Sequence, residues 1–106
     1  MWAEALPIVV YSHCTEVVAP AGSWPRLYAS LQALKGHVQE YPGCQRFDVF
    51  FDAAPDEAVR IHCYTSWDTL GQREAFLERG YHLERLIADL EEPIRVDRSL
   101  SMEKIF

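Results

Sequence analysis

The sequence has no asparagine, only two lysines and no run of three basic residues in its 106 positions. A nucleic-acid surface needs clustered Lys and Arg, whereas the ten basic residues here are scattered through a chain of net charge −6. A nucleic-acid partner is therefore excluded. The acidic balance is typical of a soluble surface and indicates no acidic partner.

The sequence also lacks a secretion leader, a membrane-spanning run and an even number of cysteines. Its opening segment, MWAEALPIVVYS, has no basic leader, and its apolar run is too short to cross a bilayer. The three cysteines, Cys14, Cys44 and Cys63, indicate free thiols in a reducing compartment. We therefore expect a cytoplasmic protein with no membrane partner.

Several motifs of catalysis are missing as well: the glycine-rich phosphate loop, the Ser-His-Asp arrangement and the paired carboxylates. The composition is that of a globular protein, because 49% of the residues are hydrophobic, which is enough to build one core. We expect a single domain over residues 1–106. A chain of this length is only moderately stable alone, so a partner subunit would add stability.

Apolar periodicity predicts four strands and two helices. Alternating and β-branched residues mark the strands, and apolar residues at helical spacing mark the helices. The predicted strands cover residues 6–18, 44–53, 58–67 and 94–102, and the predicted helices cover residues 24–41 and 68–92. Ser23 and Asp68 are the predicted helix caps, and Gly80 is the predicted break within the second helix.

This order, β-α-β-β-α-β, predicts a ferredoxin-like α+β fold with an antiparallel sheet. Strands one and three are then central, and both helices cover one face of the sheet. The other face is too apolar for open water, since residues such as Phe50 lie on it. We expect a second copy of the chain to cover that face, because two-fold dimers are the commonest oligomers. The alternative is a monomer with some exposed aromatic residues.

Three segments carry a resemblance to a known family: YPGCQRFDVFFD, VRIHCYTSWDTLGQREAFL and YHLERLIADL. A helix that ends in a Pro-Gly turn is followed by a strand hairpin, and a Trp closes strand three before an acidic helix start. This pattern resembles the antibiotic biosynthesis monooxygenase (ABM) family over most of the chain. The resemblance implies a ferredoxin-like homodimer whose two sheets close into an α+β barrel.

The family includes cofactor-independent oxygenases of polycyclic phenols and anthrones, quinol monooxygenases and haem-degrading enzymes. Trp67 matches the pocket Trp of the tailoring oxygenases, but their Asn and Tyr are replaced here by Cys63 and Arg73. The haem-degrading members need an Asn on strand one and a Trp on helix two, and this chain has neither. The resemblance therefore implies chemistry without a cofactor.

His13 is the predicted catalytic base, and Trp67 is the second predicted catalytic residue. A neutral imidazole can accept a phenolic proton, while an indole can donate to a substrate oxygen and stack on a ring. The family's turn, aligned with Gly22, gives His13 and Trp67 the pocket-facing side and places His62 on the opposite side. A one-residue slip would reverse this assignment. The alternative for Trp67 is a large apolar residue that closes the core at a strand end, and the alternative for His13 is a hydrogen-bonded histidine of the core or of an interface.

Four further residues are predicted to bind substrate: Tyr11, Tyr28, Cys63 and Tyr81. Cys63 is also consistent with a small buried hydrophobe, and Tyr28 with a core position. His82 is expected on a solvated face of the second helix. No metal site is expected, because His13, His62 and Cys63 come from opposite faces and match no zinc spacing.

Three functions are consistent with these observations. The first is a cofactor-free monooxygenase that oxidises an electron-rich phenol, quinol or anthrone with O2. The second is a non-catalytic dimeric barrel that binds a small aromatic or hydrophobic ligand, or serves only in assembly. The third is an isomerase or cyclase that uses the same pocket without consuming oxygen.

Overall fold

The computed structural model describes residues 8–53, 58–80 and 82–106 of the chain. Four strands and three helices follow one another, with a 3-10 turn over Ala21–Ser23 before the first helix. In chain order they are β1 Val10–Pro20, α1 Trp24–Gln39, β2 Cys44–Ala53, β3 Ala58–Trp67, α2 Leu70–Arg79, α3 Leu83–Leu90 and β4 Arg95–Lys104. The predicted β-α-β-β-α-β order is confirmed, with the second helix divided into α2 and α3.

The strands form one antiparallel sheet in the order β2-β3-β1-β4. Strands β1 and β3 are therefore central, as the ferredoxin-like fold predicted. His13 of β1 lies opposite Thr65 of β3, and Thr15 lies opposite Cys63. This register places the middle of β1 beside the middle of β3, so side chains from both strands can line the same space.

The ends of two strands differ from the prediction. β1 begins at Val10 rather than at residue 6, and residues 6 and 7 lie outside the described part of the chain. β4 extends to Lys104, two residues beyond the predicted end, because it pairs with β1 as far as Val10 and Val9 N–H donates to the Lys104 carbonyl. The two strands thus pair along the length of β4, with one shift of register between Glu16 and Val17.

Helix α1 packs on the sheet through four buried side chains at helical spacing, Leu27, Leu31, Leu34 and Val38. Ser23 stands at the N-cap position, as predicted, but the predicted capping bond is wrong, because its hydroxyl makes no cap bond and donates to Glu92 at 3.1 Å. Its backbone is helical, with φ −86° and ψ −10°, whereas a capping residue needs an extended backbone. Ser23 therefore ties the start of α1 to the segment before β4.

Helix α2 is capped by Thr69, so the predicted cap at Asp68 is also wrong. The Thr69 hydroxyl accepts from the Gln72 N–H, and the Gln72 side chain accepts from the Thr69 N–H, both at 3.1 Å. This reciprocal pair is a capping box, which satisfies two free N–H groups at once. Asp68 instead accepts a hydrogen bond from the Gln45 side chain.

The predicted break at Gly80 is confirmed. Its N–H donates to the Phe76 carbonyl at 2.8 Å, and a Cβ at this position would lie 2.5 Å from that carbonyl oxygen. Only glycine fits here without a shift of the backbone, and the chain leaves α2 at this point. The break changes the direction of the chain, so that α3 begins over the middle of β1.

The two faces of the sheet differ in how completely they are covered. On the helix side, Val17, Ile61 and Trp67 have no exposed surface. On the other side, Phe50 is 55% exposed, and Leu100 and Met102 are also exposed. Among the residues that the structure describes, no helix is both long and apolar enough to cross a membrane.

Candidate functional site

The site is built around His13, which lies on the helix side of β1. Its side chain is 13% exposed. Nδ1 lies 2.9 Å from Ser101 Oγ, and Nε2 lies 3.0 Å from Ser99 Oγ. Both serines come from β4, where alternate residues face the same side as His13. Two hydrogen bonds to the neighbouring strand β4 therefore fix the plane of the imidazole ring.

Glu84, in the first turn of α3, joins the same cluster. One of its oxygens accepts from Ser99 at 2.6 Å and from Thr15 at 3.1 Å, and lies 3.5 Å from His13 Nε2. Burial alone would raise the pKa of this carboxyl. Hydrogen bonds from Ser99, His13 and Thr15 outweigh burial and lower the pKa of Glu84 below its ordinary value. The cluster therefore holds a negative charge beside the imidazole.

The donors and acceptors in this cluster fix the tautomer of neutral His13. The Ser99 hydroxyl has one hydrogen and donates it to Glu84, so toward the imidazole it can only accept. Nε2 must then carry the ring hydrogen, and Nδ1 keeps its lone pair, which accepts from the Ser101 hydroxyl. Nδ1 is therefore the basic atom of the site. The other ring nitrogen, Nε2, is linked to Glu84 through the Ser99 hydroxyl.

His13 also lines a small internal cavity between the sheet and the helices. The cavity has a volume of about 10 Å³, close to the space that one water molecule needs. Its walls combine apolar core residues with a few polar groups: His13, Thr15, Leu34, Val38, Phe47, Cys63, Thr65, Phe76, His82 and Leu83. The imidazole therefore faces a nearly filled apolar space.

The prediction for His82 is wrong, because this residue lies at the cavity and not on a solvated face. Its ring packs edge-on against Phe76 with centroids 5.9 Å apart. Desolvation lowers the pKa of His82, and nearby Arg85 also lowers it, against the opposing influence of Glu84. The break at Gly80 explains the error, since it turns the start of α3 inward from the direction that a continuous helix would give.

Cys63 is brought to the cavity, as a member of the predicted substrate-binding set. It is 5% exposed, and desolvation raises the pKa of its thiol to about 12, with smaller contributions from Cys14 and Asp48. A thiol with so high a pKa is not a thiolate nucleophile at neutral pH. Cys63 contributes shape and apolar surface to the wall.

Trp67 occupies a core position. It has no exposed surface, and its Nε1–H donates to Thr65 Oγ1 at 3.1 Å. Its ring packs on Phe76 at 4.7 Å between centroids and meets Tyr41 edge-on at 6.4 Å. The indole donor is thus already used within the protein. The catalytic role of Trp67 stays a prediction, while its surroundings are those of a packing residue.

Tyr11 lies at the end of the sheet, under a buried arginine. The Arg73 guanidinium is 5.7 Å from the centre of the Tyr11 ring and donates to the carbonyls of Ser12 and Met102, each at 3.3 Å. It also pairs with Glu103 at 3.3 Å. Arg73 stands where the resemblance predicted a pocket Tyr, and it binds β1 and β4 together at this end.

Tyr28 is not brought to His13. Tyr28 is 50% exposed on α1, where its ring lies 5.4 Å from that of Trp24. It lines a separate groove beside β2. Tyr81 lies outside the described residues. Of the three predicted substrate-binding residues that the structure describes, Cys63 is therefore the one that lines the same cavity as His13.

The remaining histidine of interest, His62, lies on the opposite face of the sheet. Its Nδ1 is 2.9 Å from Glu16 Oε1, so the two form a pair of their own, away from the cavity. Within residues 8–53, 58–80 and 82–106, no group of three or more His, Cys, Asp or Glu side chains is arranged to hold a metal ion.

Comparison with known proteins identifies the fold. No protein-family model matches the chain, and no curated protein matches it. A Nitrosomonas europaea protein, named as a proposed antibiotic biosynthesis monooxygenase, matches over 93% of each chain with a TM-score of 0.69 and 17% identity. A conserved Bacteroides thetaiotaomicron protein of unknown function matches over 91% of this chain and 98% of its own, with a TM-score of 0.69 and 14% identity. The chain has an ABM-like fold.

A designed protein has the same arrangement. The de novo protein Foldit4 matches over 90% of this chain and 97% of its own, with a TM-score of 0.59 and 18% identity. Identities this low show the fold alone, so the activity has to be argued from the residues of the site.

Sequence reasoning missed Glu84, Ser99 and Ser101. One signal was available for the serines, because alternate small polar residues on a strand beside His13 are candidates for hydrogen bonds to it. No comparable signal existed for Glu84, since an acidic residue in the first turn of a helix is common for electrostatic reasons alone. Its approach to His13 depends on the angle at which the chain leaves Gly80.

Proposed function

We propose that the chain is a cofactor-independent monooxygenase that acts on an electron-rich aromatic substrate, a phenol, quinol or anthrone. One observation carries the proposal: His13 lines the cavity, its Nδ1 lone pair accepts only from the rotatable Ser101 hydroxyl, and its other ring nitrogen is backed by Glu84 through Ser99. The ABM name of a fold relative supports the reaction class.

His13 acts in this proposal as a general base at Nδ1. A substrate hydroxyl takes the place of Ser101 beside Nδ1 and gives up its proton, which leaves an electron-rich phenolate. The imidazolium formed is stabilised at Nε2 by the Glu84 carboxylate through the Ser99 hydroxyl, as a buried carboxylate stabilises a histidine in a catalytic triad.

The phenolate then reduces O2 directly, and the pair combines at a ring carbon to give a hydroperoxide. Loss of water from the hydroperoxide leaves the quinone, so one oxygen atom of O2 enters the product and the other becomes water. The reaction balances as substrate plus O2 giving quinone plus water: the substrate loses two hydrogens and gains one oxygen, and these four electrons reduce both atoms of O2, one to the carbonyl oxygen and one to water. The role of the protein is orientation, deprotonation and exclusion of water.

Entry of a substrate requires the cavity wall to move, because about 10 Å³ cannot hold an aromatic ring. Helix α3 forms part of that wall through Leu83. It is joined to α2 through the break at Gly80, so we place the movement there. Hinges of this kind are a few residues at the ends of elements.

Oxygen uptake tests the proposal. Metal-free protein is mixed with anthrones, naphthols and quinols under 18O2, and O2 loss is followed together with the mass of the product. We expect one quinone per O2 with one labelled oxygen, and a loss of roughly 10²-fold or more in kcat for His13→Gln. His37→Gln, at the exposed end of α1, is the matched control. Equal turnover by His13→Gln and the native chain would contradict the proposal.

A second function is favoured by the filled cavity: an assembly module with no substrate at all. A nearly closed interior is what such a protein needs, and Trp67 and Cys63 already serve as packing residues. Crystals or NMR spectra of the protein with bound aromatic ligands distinguish the two functions. Persistent closure, with no ligand entering beside His13 and no O2 consumed, would favour assembly.

We extend the proposal to a homodimer formed through the open face of the sheet. Exposed apolar side chains there, among them Phe50 and Leu100, support it. Light scattering tests the mass: Leu100→Glu should give a monomer. Val96→Glu should leave the dimer unchanged, because Val96 pairs with Val17 on the helix side of the sheet and is similarly exposed at 39%. A native chain that is monomeric at all concentrations would overturn the dimer.

A further inference from the structure

An exposed groove lies between α1 and the edge strand β2, away from His13. Its volume of about 520 Å³ is within the range of small-molecule sites. Three aromatic rings, those of Trp24, Tyr28 and Phe51, stand along it, together with Phe47 and Lys35. The groove is therefore much larger than the cavity beside His13 and is open to solvent.

The aromatic rings of the groove form one continuous wall. The Trp24 ring lies 5.4 Å from that of Tyr28 and 5.1 Å from that of Phe51, both in tilted contact. Tyr28 is 50% exposed and Phe51 is 55% exposed. Exposed aromatic side chains in contact with one another, and not scattered singly, are typical of a ligand-binding surface. A flat ring can stack on this wall at the usual aromatic separation.

The charge of the groove selects the kind of ligand. An aromatic wall by itself would also suit a cation. Lys35 is, however, the one charged side chain among the described residues that line the groove, and none of them is a carboxylate. Lys35 follows Tyr28 by two turns of α1 and Trp24 by three, so the ammonium lies at the end of the aromatic stripe. A local positive charge in a chain of net charge −6 favours an anion.

We propose that this groove binds a small aromatic anion, a carboxylate or a phenolate. The ring of the ligand stacks on Tyr28 and Phe51, and its anionic oxygen pairs with the Lys35 ammonium. The proposal does not rest on the oxygenase function. Phe47 lines both this groove and the cavity that His13 faces, so one side chain separates the two spaces.

The test uses 2-naphthoate and its neutral amide, 2-naphthamide, titrated into nitrogen-15-labelled protein under argon. The Trp24 indole N–H resonance reports on the groove, and Trp67 reports on the core. We expect saturable shifts at Trp24 and weaker binding of the amide. Lys35→Gln should lower the affinity for naphthoate about fivefold, as expected for the loss of one exposed charge pair, and leave the affinity for the amide unchanged. Tyr28→Ala should lower the affinity for both ligands.

The chain offers a matched control, because its second lysine, Lys104, lies at the end of β4. Lys104→Gln should bind both ligands like the native protein. Three results would overturn the proposal: no saturable shift at Trp24, equal affinity for naphthoate and the amide, or Trp24 shifts that follow protein concentration without ligand. The last result would assign the groove to a contact between copies of the chain. Since the titration excludes O2, none of these results bears on His13.

Discussion

Two neighbouring parts of the same sheet face, called here the Trp67 end and the His13 end, treat their polar groups differently: Trp67 closes β3, and His13 lies opposite Thr65, beside β4. At the Trp67 end, the indole N–H is satisfied by Thr65, two aromatic rings enclose the side chain, and no surface is exposed. At the His13 end, an imidazole, a carboxylate and three hydroxyls share hydrogen bonds, and the Glu84 side chain remains 32% exposed. One end is a closed core, and the other is a polar network at an apolar cavity.

This difference distinguishes residues whose surroundings suit packing from residues whose surroundings suit proton transfer. At the Trp67 end the indole donor is already used within the protein, so the ring contributes shape and stability. The His13 end has a basic nitrogen, a charge behind it and rotatable hydroxyls around it, which are the groups that move protons. The catalytic roles of Trp67 and His13 both stay predictions, and the variants below distinguish a packing role from a chemical one.

The largest predicted effect is at the closed end. Trp67→Ala removes a fully buried ring and leaves a cavity beside Phe76, so we expect the free energy of unfolding to fall by about 3–5 kcal/mol. Trp67→Phe keeps most of the volume and should cost less. Urea denaturation followed by circular dichroism measures both. A loss below ~1 kcal/mol for the alanine variant would place Trp67 in a pocket and not in the core.

A smaller effect is predicted at the network end. Glu84→Gln keeps the shape but removes the charge that accepts from Ser99 and Thr15, so we expect a loss of about 1–2 kcal/mol at neutral pH. Because the folded pKa of Glu84 lies below the ordinary value of 4.5, this stability is fully present above pH 4.5 and is lost as pH falls through the folded pKa. The difference between native and variant should shrink in acid.

Denaturant unfolding over a pH series measures that difference. Glu78→Gln, an exposed carboxylate on α2, is the control and should be nearly neutral at every pH. A Glu84→Gln difference that stays constant into acid would mean that the carboxylate is not the source of the stabilisation.

Regular periodicity made most of the fold predictable. Alternation in β3 and the buried stripe from Leu27 to Val38 are repeated signals, and the Pro-Gly turn and Gly80 are strong local ones. Helix caps were predicted wrongly because Ser23 and Asp68 satisfy distant partners, which no local pattern records. For the site, strand parity predicts which face of the sheet His13 lies on. Its contact with Glu84 could not be predicted, because it depends on the direction in which the chain leaves Gly80.

The smallest predicted effect lies between the two ends, at His82. Desolvation lowers its pKa below the ordinary 6.5, so the folded protein disfavours protonated His82 more than the unfolded chain does. The unfolded chain therefore binds more protons as pH falls below about 6.5, and the native protein loses stability over that range. Of the charged neighbours, Glu84 opposes this loss, while Arg85 and His13 add to it.

Denaturant unfolding over a pH series measures the loss of stability in acid. In His82→Gln this loss should be smaller, and His37→Gln on exposed α1 should behave like the native chain. Identical acid profiles for His82→Gln and the native protein would show that His82 is solvated, and the closed wall beside His13 would then need to be reconsidered.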